Sequence, residues 1–179
     1  MPVPVSRITK MSTPRIDLPA GNYPGHIVAM LYPKETNGEC RLTFGEYLLQ
    51  LHYRGNVTYV ATRAFDISIN SDSPMCALLC GLSGAENSGA LYKWLESNGY
   101  FSNGVFDECA FLGSPVMATV ERLVKNDASN VTYNVVSALS PLPENETVEL
   151  RSDRLIPYSF AKPSRFVIRK LDGFALAEA

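Results

Sequence analysis

The stretch Val57-Thr-Tyr59-Val-Ala61-Thr-Arg63 carries the most suggestive chemistry in this chain. Read as a β-strand, its period of two puts Tyr59, Ala61 and Arg63 on one face. Val60 and Ala64 are then expected to face the core. A ring that can stack on a planar group and a guanidinium that can neutralise a phosphate are here separated by a small residue. One base stacked on one aromatic side chain is worth about 1–3 kcal/mol. Lys34, Arg41, His52, Tyr53, Arg54 and Lys125 repeat the same two chemistries on neighbouring stretches. Each also has a plainer use, since tyrosine packs well on a pleated surface. His52 reads as a surface histidine before it reads as a catalytic one.

Catalysis finds little to work with. His26 and His52 are the only histidines. They fall on different predicted strands, and no H-x-x-x-H, G-x-S-x-G or phosphate-loop pattern occurs. Asp66 and Asp72 are a lone carboxylate pair near a strand end, of the kind that is usually solvated. Of the four cysteines, only Cys76 and Cys80 are close in sequence. Zinc sites use tighter pairs such as C-x2-C, so reduced, mostly buried thiols are expected. The chain is therefore expected to be no enzyme and to use neither metal nor cofactor.

Composition sets further bounds. Hydrophobic residues make up 46% and charged residues 19% of the 179 residues, enough apolar material for one core. A net charge of −2 excludes indiscriminate polyanion binding while allowing a local basic groove. No apolar run approaches the ~20 residues that span a bilayer. The start, MPVPVSRITKMSTPR, has no signal-type apolar region, so a soluble intracellular protein is expected.

The elements that must position these residues can be read in order. Residues 1–17 carry Arg7, Lys10 and Arg15 with three prolines, and predict a flexible or loosely docked arm. HIVAMLY predicts a first strand to about Tyr32. A second strand is expected over Arg41–Tyr53, with a bulge or bend at Gly45, and a third over Val57–Ile67. Arg54-Gly55-Asn56 makes the last two a hairpin. On the second strand, Tyr47, Leu49, Leu51 and Tyr53 are expected to be buried, and Gln50 and His52 to face outward.

Residues 71–115 then interrupt the β-pattern. Pro74 follows a cap at Ser71, Asp72 or Ser73, and Met75, Leu78, Leu79 and Leu82 form a helical stripe. Ser88 is expected to cap a second helix, which Gly99 is placed to stop. After Pro115, Val116, Ala118, Val120 and Val124 alternate on a fourth strand. A fifth strand runs from Val131 to Leu139, after a polar loop from Lys125 to Asn130. Beyond Pro143 the basic residues concentrate, and SRFVIRKL reads as a short extra strand.

The expected fold is mainly β with a helical insert, in the order β-β-β-α-β-β. Five strands with a helix between the third and fourth match a five-stranded OB-fold barrel with N- and C-terminal extensions. The domain would span 18–143, with the arm at 1–17 and an extension at 144–179. Three stretches make the likeness more specific: LPAGNYPGHIVAM; then SPMCALLCGLSG with FDECAFLGSPVMATVERL; and YNVVSALSPLP. Together they resemble a phage-encoded family of OB-fold, single-stranded-DNA-binding-like proteins, over Leu18–Pro143. The longer Gly- and Asn-rich stretch around the second helix and the C-terminal extension depart from that family's pattern.

The resemblance implies a non-catalytic protein that binds single-stranded DNA in replication or recombination, in the cytoplasm of an infected bacterial host. In an OB-fold the binding groove lies over strands two and three and is flanked by two loops. Lys34, Arg41, His52, Tyr53, Arg54, Tyr59, Arg63 and Lys125 are the residues expected to line it. The competing expectation is an OB-fold interaction protein that binds a protein partner through the barrel or through the extension. SRFVIRKL could also pair between chains as an edge strand, giving a homo-oligomer.

Overall fold

A computed structural model describes residues 10–125 and 130–178 of the chain. Arg7 and the rest of residues 1–9, residues 126–129 of the loop after Lys125, and Ala179 lie outside the described residues. The molecule is mainly β, with 40% strand against 17% helix, arranged as one open antiparallel sheet and a few helices.

Five long strands carry the sheet. They are β1 (Gly21–Pro33), β2 (Phe44–Tyr53), β3 (Asn56–Ala61), and two later ones, Pro115–Val124 and Thr132–Pro141. Between β3 and the later pair come β4 (Phe65–Asp66), α1 (Pro74–Ser83), α2 (Ser88–Ser97), and the two-residue strands β5 (Phe101–Ser102) and β6 (Val105–Phe106). The later pair are thus β7 and β8. They are followed by α3 (Tyr158–Ala161) and β9 (Phe166–Lys170).

The strand order is β3-β2-β1-β7-β8, with β4 added to β2 and β9 to β1. A single parallel bridge joins Thr62, just past β3, to Val136 on β8. Among the described residues no helix is long and apolar enough to cross a membrane.

Local sequence explains these boundaries. Arg54 and Gly55 both take positive φ (49° and 80°), the requirement of a tight two-residue hairpin turn, and so Tyr53 pairs with Asn56. Ser73 caps α1 by accepting the Cys76 N–H, and Pro74 opens the helix where its missing N–H costs nothing. The cap of α2 is Asn87 rather than Ser88: its side chain accepts the Ala90 N–H.

The expected bend in the second strand falls elsewhere. The register shift lies in β1, between Ile27 and Ala29, and Gly45 instead allows a close approach to Leu31. A Cβ at Gly25 would sit 2.0 Å from the Gln50 carbonyl oxygen, so β1 and β2 can come this close only with glycine there.

The bulge divides the work of β1. Its first half pairs with β7 through Gly21–His26, and its second half pairs with β9 through Ala29–Pro33. SRFVIRKL, expected as an edge strand for pairing between chains, is therefore paired within the chain. Ile27, Met30 and Tyr32 enter one core with α1, α2 and β7. Val28, Ala29 and Leu31 enter a second core, on the opposite face, with Leu48, Tyr59, Ile156 and Phe174. The third strand ends earlier than expected, at Ala61, and Ala64 is exposed rather than turned to the core. Val124, expected on the buried face of β7, is 62% exposed.

The second core is roofed by the C-terminal segment, which hydrogen bonds fasten to the sheet. Gln50, expected to face solvent, is 0% exposed. Its Oε1 accepts the Arg151 N–H (2.8 Å), and its Nε2 donates to the Arg151 carbonyl (2.8 Å) and to the Tyr59 hydroxyl (3.0 Å). The described part of the N-terminal arm is docked as well. Met11 pairs in parallel with Arg154, Lys10 donates to Ser152 and Gly173, and Asn134 bonds both backbone groups of Leu18.

Replacing Gln50 with Leu would leave the Arg151 N–H and C=O without their partner, at a cost of about 2–3 kcal/mol. Urea denaturation of Gln50→Leu should show that loss. Hydrogen exchange should quicken across residues 149–156 well before it changes in β7 and β8.

Candidate nucleic-acid interface

Over β3 the two docked extensions leave a cleft of about 600 Å3. Thr58–Arg63 forms its floor. One wall is the arm residues 13–17, another is the start of β8 with Tyr133, and the third is α3 with Arg165 and Phe166. Four cations line it, Arg15, Arg63, Lys125 and Arg165, and all are exposed. Two of them make only distant ion pairs: Arg15 lies 3.9 Å from Asp17 and Arg63 3.9 Å from Glu121. Contacts of this kind, with both partners exposed, hold a side chain weakly and leave it able to turn to another anion. Tyr133, 40% exposed, and the half-buried Phe160 offer ring surface beside these charges.

The cleft brings together three of the eight residues expected from the sequence: Tyr59, Arg63 and Lys125. The strand alternation correctly puts Tyr59 and Val60 on opposite faces, with Val60 in the helix-side core. Tyr59, however, is only 6% exposed. Its hydroxyl donates to the Arg154 carbonyl (2.8 Å), and burial pushes it up to about 12. The space expected for a base beside its ring is largely filled by the C-terminal segment, so Tyr59 is part of the floor and not a stacking platform.

The other five lie elsewhere. Lys34 donates to the Pro163 carbonyl (2.6 Å), and Arg41 pairs with Glu35 at 3.1 Å. His52 Nε2 donates to the Glu149 carbonyl (2.7 Å), fastening the C-terminal segment at its start. Tyr53 packs edge-on against Tyr23, and the Arg54 guanidinium lies over the Tyr53 ring, 5.1 Å from its centre. This hairpin tip is an aromatic and cationic cluster separate from the cleft.

Arg15, Arg165, Tyr133 and Phe160 are not among the residues expected to line the groove, although Tyr133 lies on the expected fifth strand. Two come from the arm and the start of β8, and two from the extension that had no assigned position. One signal for them was available: HIVAMLY is a continuous apolar run rather than an alternating one. Such a run marks a strand covered on both faces, and here it is the C-terminal extension that supplies the second cover.

Two carboxyls line the cleft with these cations: Asp17, beside Arg15, and Glu46. Glu46, half-buried on β2 beyond the end of β3, has its carboxyl pushed up to about 7, chiefly by burial; the nearby Arg165 counteracts this in part. Among the described residues no group of three or more His, Cys, Asp or Glu side chains is placed to hold a metal ion. Compared with known proteins, the chain matches no family model, no curated protein and no solved structure.

The raised carboxyl has a sign that can be checked. Between its ordinary value near 4.5 and about 7 the folded state holds a proton that the unfolded state has lost. Stability should therefore fall as pH rises through this window and remain reduced above it. Glu46→Gln removes the titration. Its urea midpoint should match that of the native chain near pH 4.5 and exceed it near pH 8, by roughly 2 kcal/mol in stability.

Proposed function

We propose that this chain is a non-catalytic protein that binds single-stranded DNA with little sequence preference along the strand. It would act in replication or recombination, as in the phage-encoded proteins its motifs resemble. The observation that carries this reading is the cleft in which Arg15, Arg63, Lys125 and Arg165 surround the rings of Tyr133 and Phe160. Cations that track phosphates beside exposed rings are the two components of sequence-tolerant single-strand binding. The strand order and the parallel bridge from Thr62 to Val136 support reading the five long strands as a partly open barrel of the OB type. On this reading the contact surface lies toward the β3–β8 side. The outer face of β2, which the sequence placed in the groove together with β3, is taken by the chain's own C-terminal segment.

That last fact favours a second reading. The outer face of β2 already accepts an extended peptide through Gln50 and His52, so it is suited to a protein partner that offers a similar segment.

A fluorescence-polarisation titration with a labelled mixed-sequence oligonucleotide separates the two. The native chain should bind single strands well at about 50 mM salt and lose affinity steeply as salt rises. Arg63→Ala combined with Arg165→Ala should weaken binding at least tenfold and reduce the slope of log affinity against log salt by about 1.4, two phosphate contacts' worth. Absence of binding at low salt, or equal affinity for duplex, would overturn the proposal and leave the protein-binding reading.

A further inference from the structure

The cleft contains a group that phosphate binding does not call for. A carboxyl among four cations weakens the local positive potential; of the two in the lining, Asp17 is exposed beside Arg15 and Glu46 is the half-buried one. Glu46 lines the cleft near Arg165, and its carboxyl makes no ion pair or side-chain hydrogen bond among the described residues, so a group entering the cleft can donate to it. A carboxylate suits the amino edge of a nucleobase: it accepts from the exocyclic N–H2 of cytosine, whereas thymine presents a carbonyl oxygen at the same position. In a single strand that edge is open. The surrounding geometry fits one nucleotide unit. The volume of about 600 Å3 is in the range of small-ligand sites, Phe160 and Phe166 supply apolar wall, and the cations stand where the flanking phosphates would run.

We propose that the cleft is a base subsite, in which one nucleotide of a bound strand turns inward and Glu46 accepts a hydrogen bond from its exocyclic amino group, so that cytosine is preferred to thymine. This rests on the single-strand-binding reading above. It adds a point of discrimination to a surface that otherwise tolerates any sequence. The cations supply affinity for every strand, and Glu46 chooses among bases at one position only.

The test compares short labelled oligo-dC and oligo-dT, about eight nucleotides long, at pH 8, where Glu46 is ionised. The native chain should bind oligo-dC roughly tenfold more tightly than oligo-dT, the scale of one base-edge contact. Glu46→Gln keeps the side-chain volume but can donate as well as accept, so the ratio should fall to within about twofold. Arg63→Ala should weaken both strands together and leave the ratio unchanged. A native ratio near one with clear binding to both strands would overturn the subsite and leave single-strand binding standing, and so would a ratio that survives Glu46→Gln. Binding to neither strand would remove the underlying reading and the subsite with it.

Discussion

The amide of Gln50 exchanges two hydrogen bonds with the backbone of Arg151 from a fully buried position on β2. The side chain behaves there like one residue of an added strand. A buried primary amide is tolerable only when its groups are paired, and each one left open costs about 1–3 kcal/mol. Gln50 therefore fixes where the C-terminal segment crosses the sheet, and not merely that it packs there. Hydrophobic burial of Ile156 and Phe174 supplies most of the attraction in this layer, at about 1.5–3 kcal/mol for each large side chain. That attraction is non-directional, and the amide gives it a register. Asn134, in the lining of the cleft, does the same for the backbone of Leu18. Two carboxamides thus align two irregular segments against one regular sheet.

The cleft follows from that alignment. Its floor belongs to β3, but Arg15 stands on the irregular arm and Arg165 on the extension, just before β9. Their positions derive from the backbone pairing of Met11 with Arg154 and of β9 with β1. The extension thus has two effects. It buries Tyr59, the residue whose spacing looked most like a binding surface, and it helps to build a basic, ring-lined space a short distance away.

Much of the fold was legible in the sequence, and the gaps have physical causes. Ser73-Pro74 and the Met75, Leu78, Leu79 pattern located α1 because capping and periodicity are local. The hairpin at Arg54-Gly55 was legible for the same reason. Alternation separated Tyr59 from Val60 but could not say whether the outward face meets water or another part of the chain. That failure misplaced Gln50 and left Tyr59 reading as exposed. The partner of β2's outer face lies about a hundred residues later, in a segment with little periodicity of its own. SRFVIRKL was recognisable as a strand, yet its partner was not, because a bulged β1 offers different neighbours to its two halves.

The division of β1 between β7 and β9 also orders events in time. β1 leaves the ribosome well before the strand that completes its second half, which ends at Lys170, and before Phe174 and Leu176, which close the layer above it. Until those residues emerge, the apolar outer face of β1 and half of one edge have no covering. Pairings that span nearly the whole chain form late, and uncovered strand edges invite association between nascent chains. The glutamine that orders the finished layer thus emerges about a hundred residues before its partner Arg151.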